Sequence, residues 1–194
     1  LGVRVVRHWA RFVSRDEVAA GPLRIRARRF VIATGSRAAI PPVPGLETAP
    51  CLTNETVFDL RELPAHLLVL GGGPIGIEMA LAFRRLGARV TVVEAARLLG
   101  REDPEAAALV IDRLRAEGVA FHEGVAATSA GPGARLELAD GTVLEGSHLL
   151  VAAGRKPALE RLDPAAGGVE TDGDGVKVDD GLRSVSNRRV YAVG

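Results

Sequence analysis

The residues whose types and spacing point to chemistry lie in the run Leu70-Gly71-Gly72-Gly73-Pro74-Ile75-Gly76-Ile77-Glu78. Gly71, Gly73 and Gly76 fit Gly-x-Gly-x-x-Gly, a weak signal alone. Here the pattern follows the apolar run Leu67–Leu70, opens helical spacing, and precedes a second apolar run ending at Glu94, 18 residues beyond Gly76. Strand, turn, helix and acid in that register are what a dinucleotide site requires. Gly71 permits a tight strand-to-helix turn, Gly73 lets the backbone approach a pyrophosphate, and Gly76 lets the helix pack close to the strands. The free amides and dipole of the helix start favour the negative charge. Glu94 can accept hydrogen bonds from both ribose hydroxyls and repels a 2′-phosphate, so NAD(H) is favoured over NADP(H). Arg97 and Arg101 are near enough to blunt that preference if they fold back. Glu78 is expected in the first turn of the helix, where an acid either complements the dipole or faces the nicotinamide end.

The elements that must position these residues follow from periodicity and punctuation. Residues 3–13 and 23–33 read as strands, the second ending in Phe30-Val31-Ile32-Ala33-Thr34-Gly35. Pro41-Pro42-Val43-Pro44-Gly45 can continue neither helix nor ladder and reads as a boundary. Leu67–Leu70 has the unbroken apolar character of a buried parallel strand. Helical spacing runs from Ile75 to Leu86 with Gly87 as its stop, and Arg89–Val93 is a second buried strand. Asp103 and Pro104 suit the start of another helix, whose apolar face is Ala107, Val110, Ile111 and Leu114 and whose stop is Gly118. Val119–His122 is a third strand. Leu136–Leu138 and Thr142–Leu144 flank an Asp140-Gly141 hairpin turn. Leu149–Gly154 then repeats the pattern of an apolar strand closing on Ala-x-Gly.

Composition narrows the classes. The chain has 194 residues, 47% of them hydrophobic, which excludes global disorder, and no uncharged apolar stretch approaches the ~20 residues of a membrane helix. Net charge is +1, so no overall bias toward nucleic acid exists. Residues 1–37 hold nine arginines against Asp16 and Glu17, but the alternation in Arg24-Ile25-Arg26-Ala27-Arg28 reads as solvated strand faces. The single cysteine, Cys51, excludes an intrachain disulfide, a thiolate zinc cluster and an iron–sulfur centre, and lacks a redox partner. His8, His66, His122 and His148 show no metal or acid/base spacing. No residue is assigned a catalytic or metal-ligating role, and a reducing cytoplasm is expected.

Four blocks together resemble the flavin-dependent pyridine nucleotide–disulfide oxidoreductases, the family of dihydrolipoamide dehydrogenase, glutathione reductase and mercuric reductase. They are Ile32-Ala33-Thr34-Gly35-Ser36-Arg37 with Ile40–Gly45, Gly71 to Glu78, Ala153-Gly154-Arg155-Lys156-Pro157, and Arg189-Val190-Tyr191-Ala192-Val193-Gly194. Pro74 and Glu94 make the dihydrolipoamide dehydrogenase-like and mercuric-reductase-like branches the nearer ones. The resemblance implies an α/β fold: a Rossmann-like three-layer NAD-binding domain with a β-meander over 46–157, flanked by partial FAD-domain segments at 1–45 and 158–194. It implies FAD contacts at Thr34, Gly35 and Ser36. It implies NAD contacts at Gly71, Gly72, Gly73, Pro74, Ile75, Gly76, Glu78, Glu94 and Gly154.

The chain is accordingly expected to be the central piece of a longer enzyme passing hydride from NAD(P)H to FAD and on to a disulfide or similar acceptor. By itself it should bind nucleotide and turn nothing over. The upstream flavin fingerprint, the Cys-x4-Cys pair and the carboxy-terminal dimerisation domain of the family are not in this sequence, and Ala158 stands where the family usually has asparagine. A homodimer through that further domain is expected, with no nucleic-acid or membrane partner. The rival readings are an NADH oxidase, a ferredoxin-reductase-type flavoprotein, or a non-catalytic nucleotide-binding module.

Overall fold

The structure, a computed structural model, describes residues 2–193. The chain forms two compact units: Ala38–Gly154, here the central unit, and Leu1–Arg37 with Arg155–Gly194, the flanking unit.

The first arm of the flanking unit is a meander of β1 (Ala10–Ser14), β2 (Glu17–Ala20) and β3 (Leu23–Arg26), followed by β4 (Phe30–Ile32) and β5 (Ser36–Ala38). The stretch expected as a strand over 3–13 is strand only from Ala10, where antiparallel pairing to Ala20 begins. The stretch 23–33 is two strands, because the chain changes partners within it. Leu23–Arg26 pairs with β2, whereas the amide of Phe30 donates to the carbonyl of Arg189 in the other arm (2.8 Å).

The central unit carries a five-stranded parallel sheet of β6 (Cys51–Leu52), β7 (His66–Leu70), β8 (Arg89–Glu94), β9 (Ala120–Glu123) and a later strand, β13 (His148–Val151), in the order β6-β13-β7-β8-β9. Helix α1 (Pro74–Leu86) follows β7 and α2 (Pro104–Ala116) follows β8. The meander β10 (Ala127–Gly131), β11 (Ala134–Leu138) and β12 (Val143–Gly146) lies between β9 and β13 in sequence. Period-two alternation divides the apolar side chains between two cores. Leu67, Val69, Val90, Val92 and Leu150 join Ile77, Ala80, Ile111 and Leu114 of the helices on one face. Leu68, Leu70, Val93, Leu149 and Val151 join Leu136 and Leu138 of the meander on the other. That is why Leu67–Leu70 reads as an unbroken apolar run: both faces are covered. The result is the expected three-layer α/β arrangement with a parallel sheet.

The helix ends follow their signals. Asp103 Oδ1 accepts from the amides of Glu105 and Ala106, both at 3.0 Å, and Gly87 leaves α1 in the left-handed region (φ 110°). At the start of β7, His66 is buried. Its Nδ1 lies 2.9 Å from both the Glu145 carbonyl and Arg89 Nη2, and its Nε2 lies 2.9 Å from Thr91 Oγ1. Burial first, and the Arg89 charge second, hold its pKa below the ordinary value. No helix among the described residues is long and apolar enough to cross a membrane.

The return arm of the flanking unit has β14 (Arg155–Pro157), which pairs with β5, the hairpin of β15 (Thr171–Asp172) with β16 (Gly175–Val176), and β17 (Val190–Ala192), parallel to β4. Phe12, Ile32, Leu162, Val169 and Val190 form its core.

Candidate functional site

The turn between β7 and α1 sits at the carboxyl edge of the parallel sheet, where open α/β sheets bind ligands. Gly71 has φ +113°, and a Cβ there would stand 2.4 Å from the carbonyl oxygen of Ala152, just beyond β13. A Cβ on Gly76 would stand 2.0 Å from the Gly71 carbonyl oxygen, so the helix can approach the strand only with glycine at that position. A Cβ on Gly73 would meet nothing within 4 Å, so the space above the helix start is open. Gly73 is the N-cap of α1 and no side chain caps that end, which leaves the first-turn amides for a ligand. Pro74 opens the helix with no amide of its own to satisfy. The cradle fits a diphosphate.

Glu94 ends β8 beside this opening. Its Oε2 accepts from the Gly72 amide at 2.7 Å and its Oε1 from the Ala96 amide at 2.8 Å. Each carboxylate oxygen keeps a lone pair for a further donor, so the side chain is fixed yet still able to take ribose hydroxyls. The loop that follows folds back under the turn. Leu98 and Leu99 are buried, Leu99 adopts φ 49°, and its amide donates to the Gly72 carbonyl at 2.9 Å. A Cβ on Gly72 would come within 2.4 Å of Leu98 Cδ2. Arg97 directs Nη2 at the Gly100 carbonyl (3.1 Å) and the Glu102 carbonyl (3.4 Å), within its own loop, and Arg101 is exposed.

Glu78 is corrected. Because α1 begins at Pro74, Glu78 is the fifth helical residue, exposed and beyond the first turn, which holds no acid. The dipole therefore does not account for it. Gly154 follows β13 with φ +131°, and its carbonyl accepts from the Ala39 amide at 3.0 Å. Gly71–Gly76, Glu94 and the end of β13 thus share one edge of the sheet. Leu98 and Leu99, with Glu123 whose Oε1 accepts from the Leu98 amide at 2.9 Å, support the turn without belonging to any motif. The apolar pair in a loop was the one visible signal.

In the flanking unit, Thr34 and Gly35 are exposed and Ser36 is half-buried after β4. Gly35 adopts φ 66° and its carbonyl accepts from the Ala158 amide at 2.9 Å. Ser36 Oγ accepts from Arg155 Nε at 2.7 Å, leaving its proton free to donate. A cavity of about 290 Å³ opens here between Ile32, Thr34–Ser36, Pro157 and Val176. Open backbone at Gly35 with two hydroxyls beside a cavity fits part of a polar cofactor. Cys51 lies half-buried in β6 with no cysteine partner.

Comparison with known proteins gives the lineage. The model of the family described as pyridine nucleotide-disulphide oxidoreductase matches residues 1–194. Mercuric reductase of Streptomyces lividans is 38% identical over 187 residues, which cover 90% of this chain and 38% of that protein. The structure of the HOCl-induced flavoprotein disulfide reductase RclA from Escherichia coli superposes with a TM-score of 0.85 at 31% identity, covering 95% of this chain and 44% of that one. A ferredoxin reductase from Rhodopseudomonas palustris gives a TM-score of 0.78 at 30% identity over 95% of this chain and 49% of its own. The chain therefore spans less than half the length of these relatives. Matched along its whole length, it belongs to the pyridine nucleotide-disulphide oxidoreductase family.

Proposed function

We propose that the central unit binds a pyridine nucleotide, NAD(H) in preference to NADP(H), within a flavoprotein that passes hydride from the nicotinamide to FAD and on to a disulfide or similar acceptor. One observation carries the reading. The uncapped start of α1 opens onto free space at Gly73, and the Glu94 carboxylate is fixed 2.7 Å from the neighbouring Gly72 amide. In this reading the amides of Gly73, Ile75 and Gly76 hold the pyrophosphate, with Gly71, Gly72 and Pro74 shaping the turn. Glu94 takes the adenosine ribose hydroxyls, and its charge opposes a 2′-phosphate. Arg97 directs Nη2 at carbonyls of its own loop rather than at Glu94. Glu78 and Gly154 are assigned to the nicotinamide side on the family resemblance. Thr34, Gly35 and Ser36 are assigned to FAD, which when bound supplies the two-electron acceptor.

A second reading has support of its own: the likeness to the ferredoxin reductase leaves the acceptor open between a disulfide and a protein redox centre. The nucleotide site is the same in both.

Calorimetric titration of the chain tests the site. NADH should bind at least about tenfold more tightly than NADPH, the ratio that ~1.4 kcal/mol of charge repulsion produces. Glu94→Gln should narrow the gap. Equal affinities for the two nucleotides in the unsubstituted chain would remove the role given to Glu94.

A further inference from the structure

Glu94 and Glu123 are register partners at the carboxyl ends of neighbouring strands β8 and β9. Both spend their carboxylates on backbone amides rather than on cations at close range. Glu94 takes Gly72 and Ala96, while Glu123 Oε1 accepts from the Leu98 amide at 2.9 Å, across 25 residues of chain. Leu98 is 3% exposed, while its bond to the exposed Glu123 carboxylate is part-buried. The same loop is tied along its backbone: the Gly124 amide donates to the Ala96 carbonyl (3.0 Å) and the Val125 amide to the Glu94 carbonyl (3.2 Å). Its far side meets the glycine turn, through Leu98 packed beneath Gly72 and the Leu99 amide on the Gly72 carbonyl.

From this arrangement we infer that Glu123 is a positioning residue for the dinucleotide site, an inference that rests on the nucleotide-binding reading above. It latches residues 95–102 under the glycine turn, and that loop sets the height of Gly72 and the direction of the Glu94 carboxylate. The physical reason is the amide of Leu98, whose side chain is buried beneath Gly72 and whose N–H has Glu123 as its one acceptor among the described residues. Without an acceptor, the Leu98 N–H must be hydrated or left unpaired. Water standing where the exposed Glu123 side chain was is not anchored to β9, so it holds the loop less firmly and loosens Leu98 beneath Gly72 and the Leu99 bond. A carboxamide oxygen can accept the same bond, so the role belongs to the acceptor and not to the charge. Arg115 Nη2 stands 3.7 Å from the other carboxylate oxygen, an exposed pair that contributes little to the latch.

The experiment combines amide hydrogen exchange with NADH titration of the 194-residue chain. Glu123→Ala should accelerate exchange at Leu98 and Leu99 while the amides of β7 stay protected, and should weaken NADH binding about three- to tenfold, the scale of one part-buried hydrogen bond. Glu123→Gln should restore affinity to within about twofold, since its carbonyl accepts the same N–H. Arg115→Ala should leave both readouts unchanged. In the unsubstituted chain, NADH should slow exchange at Leu98 and Leu99 more than at Leu136 of the meander, a measurement that stands even if Glu123→Ala fails to fold. Unchanged exchange in Glu123→Ala, unchanged NADH affinity despite faster exchange, or failure of Glu123→Gln to rescue would each overturn the latch and leave the nucleotide site standing. No NADH binding by the unsubstituted chain would overturn both.

Discussion

Each unit contains an apolar strand that runs out into Ala-x-Gly, β13 ahead of Gly154 and β4 ahead of Gly35, and both glycines have positive φ. What surrounds the two strands differs. β13 lies between β6 and β7 in a five-stranded sheet, with one core of fifteen buried residues on the helix face and another of nine on the meander face. Among the described residues, β4 has β17 as its partner in a two-stranded ladder over a core of five buried residues. The same local sequence pattern therefore sits on unequal foundations. Geometry that depends on packing is held more tightly in the central unit, where Gly71, Gly76 and Glu94 meet.

Core truncation is the largest lever on that comparison. Leu150→Ala, at a fully buried position covered on both sides, should cost toward the upper end of ~2–5 kcal/mol by urea denaturation. Leu162→Ala in the flanking unit should fall toward the lower end of ~2–5 kcal/mol, because its surroundings can relax. Equal losses would break the comparison.

The glycines sharpen it next. Gly76→Ala places a Cβ 2.0 Å from the Gly71 carbonyl oxygen, so the turn must shift, and NADH affinity should fall more than about tenfold. Gly35→Ala meets no atom within 4 Å, and its cost should be only the ~1–2 kcal/mol of left-handed backbone, read as a change in urea midpoint.

Two pH effects are smaller, and both belong to the central unit. His66 has its folded pKa below 6.5, so the unfolded chain binds the proton more readily. Stability should be fully present above the ordinary value of 6.5 and decline as pH falls from there toward the folded pKa. His66→Gln should flatten that limb in urea midpoints measured across it. Glu117 works in a lower window. Bridging to Arg85 and Arg113 holds its carboxyl at about 2 against an ordinary 4.5, so its contribution is complete above 4.5 and disappears as pH falls through about 2. Glu117→Gln should abolish that dependence, and salt should weaken it in the native chain.

Legibility in the sequence follows the range of the interactions. The strand–turn–helix from His66 to Leu86 was readable because its signals are local: a continuous apolar run, three spaced glycines, a proline at the helix start and Gly87 at its end. The Asp103 cap and the Asp140-Gly141 turn were readable for the same reason. The break within 23–33 was not, since the partner that claims Phe30 is Arg189, in the other arm of the chain. Nor were strand limits near Ala10, which depend on where pairing with β2 begins. Glu78 shifted from the first turn to the second because one residue at a helix start decides it. Glu123 left no motif because its partner is a backbone amide, which every residue but proline carries.

In the proposed complex the helix start beyond Gly73 receives the diphosphate of NAD(H). Backbone amide chemical shifts recorded during NADH titration test it most directly. The largest shifts are expected at Gly73, Ile75 and Gly76, with a smaller response at Ala96 through Glu94, and none at Leu23–Arg26 in β3. Saturable NADH binding that leaves Gly73, Ile75 and Gly76 unmoved would contradict it.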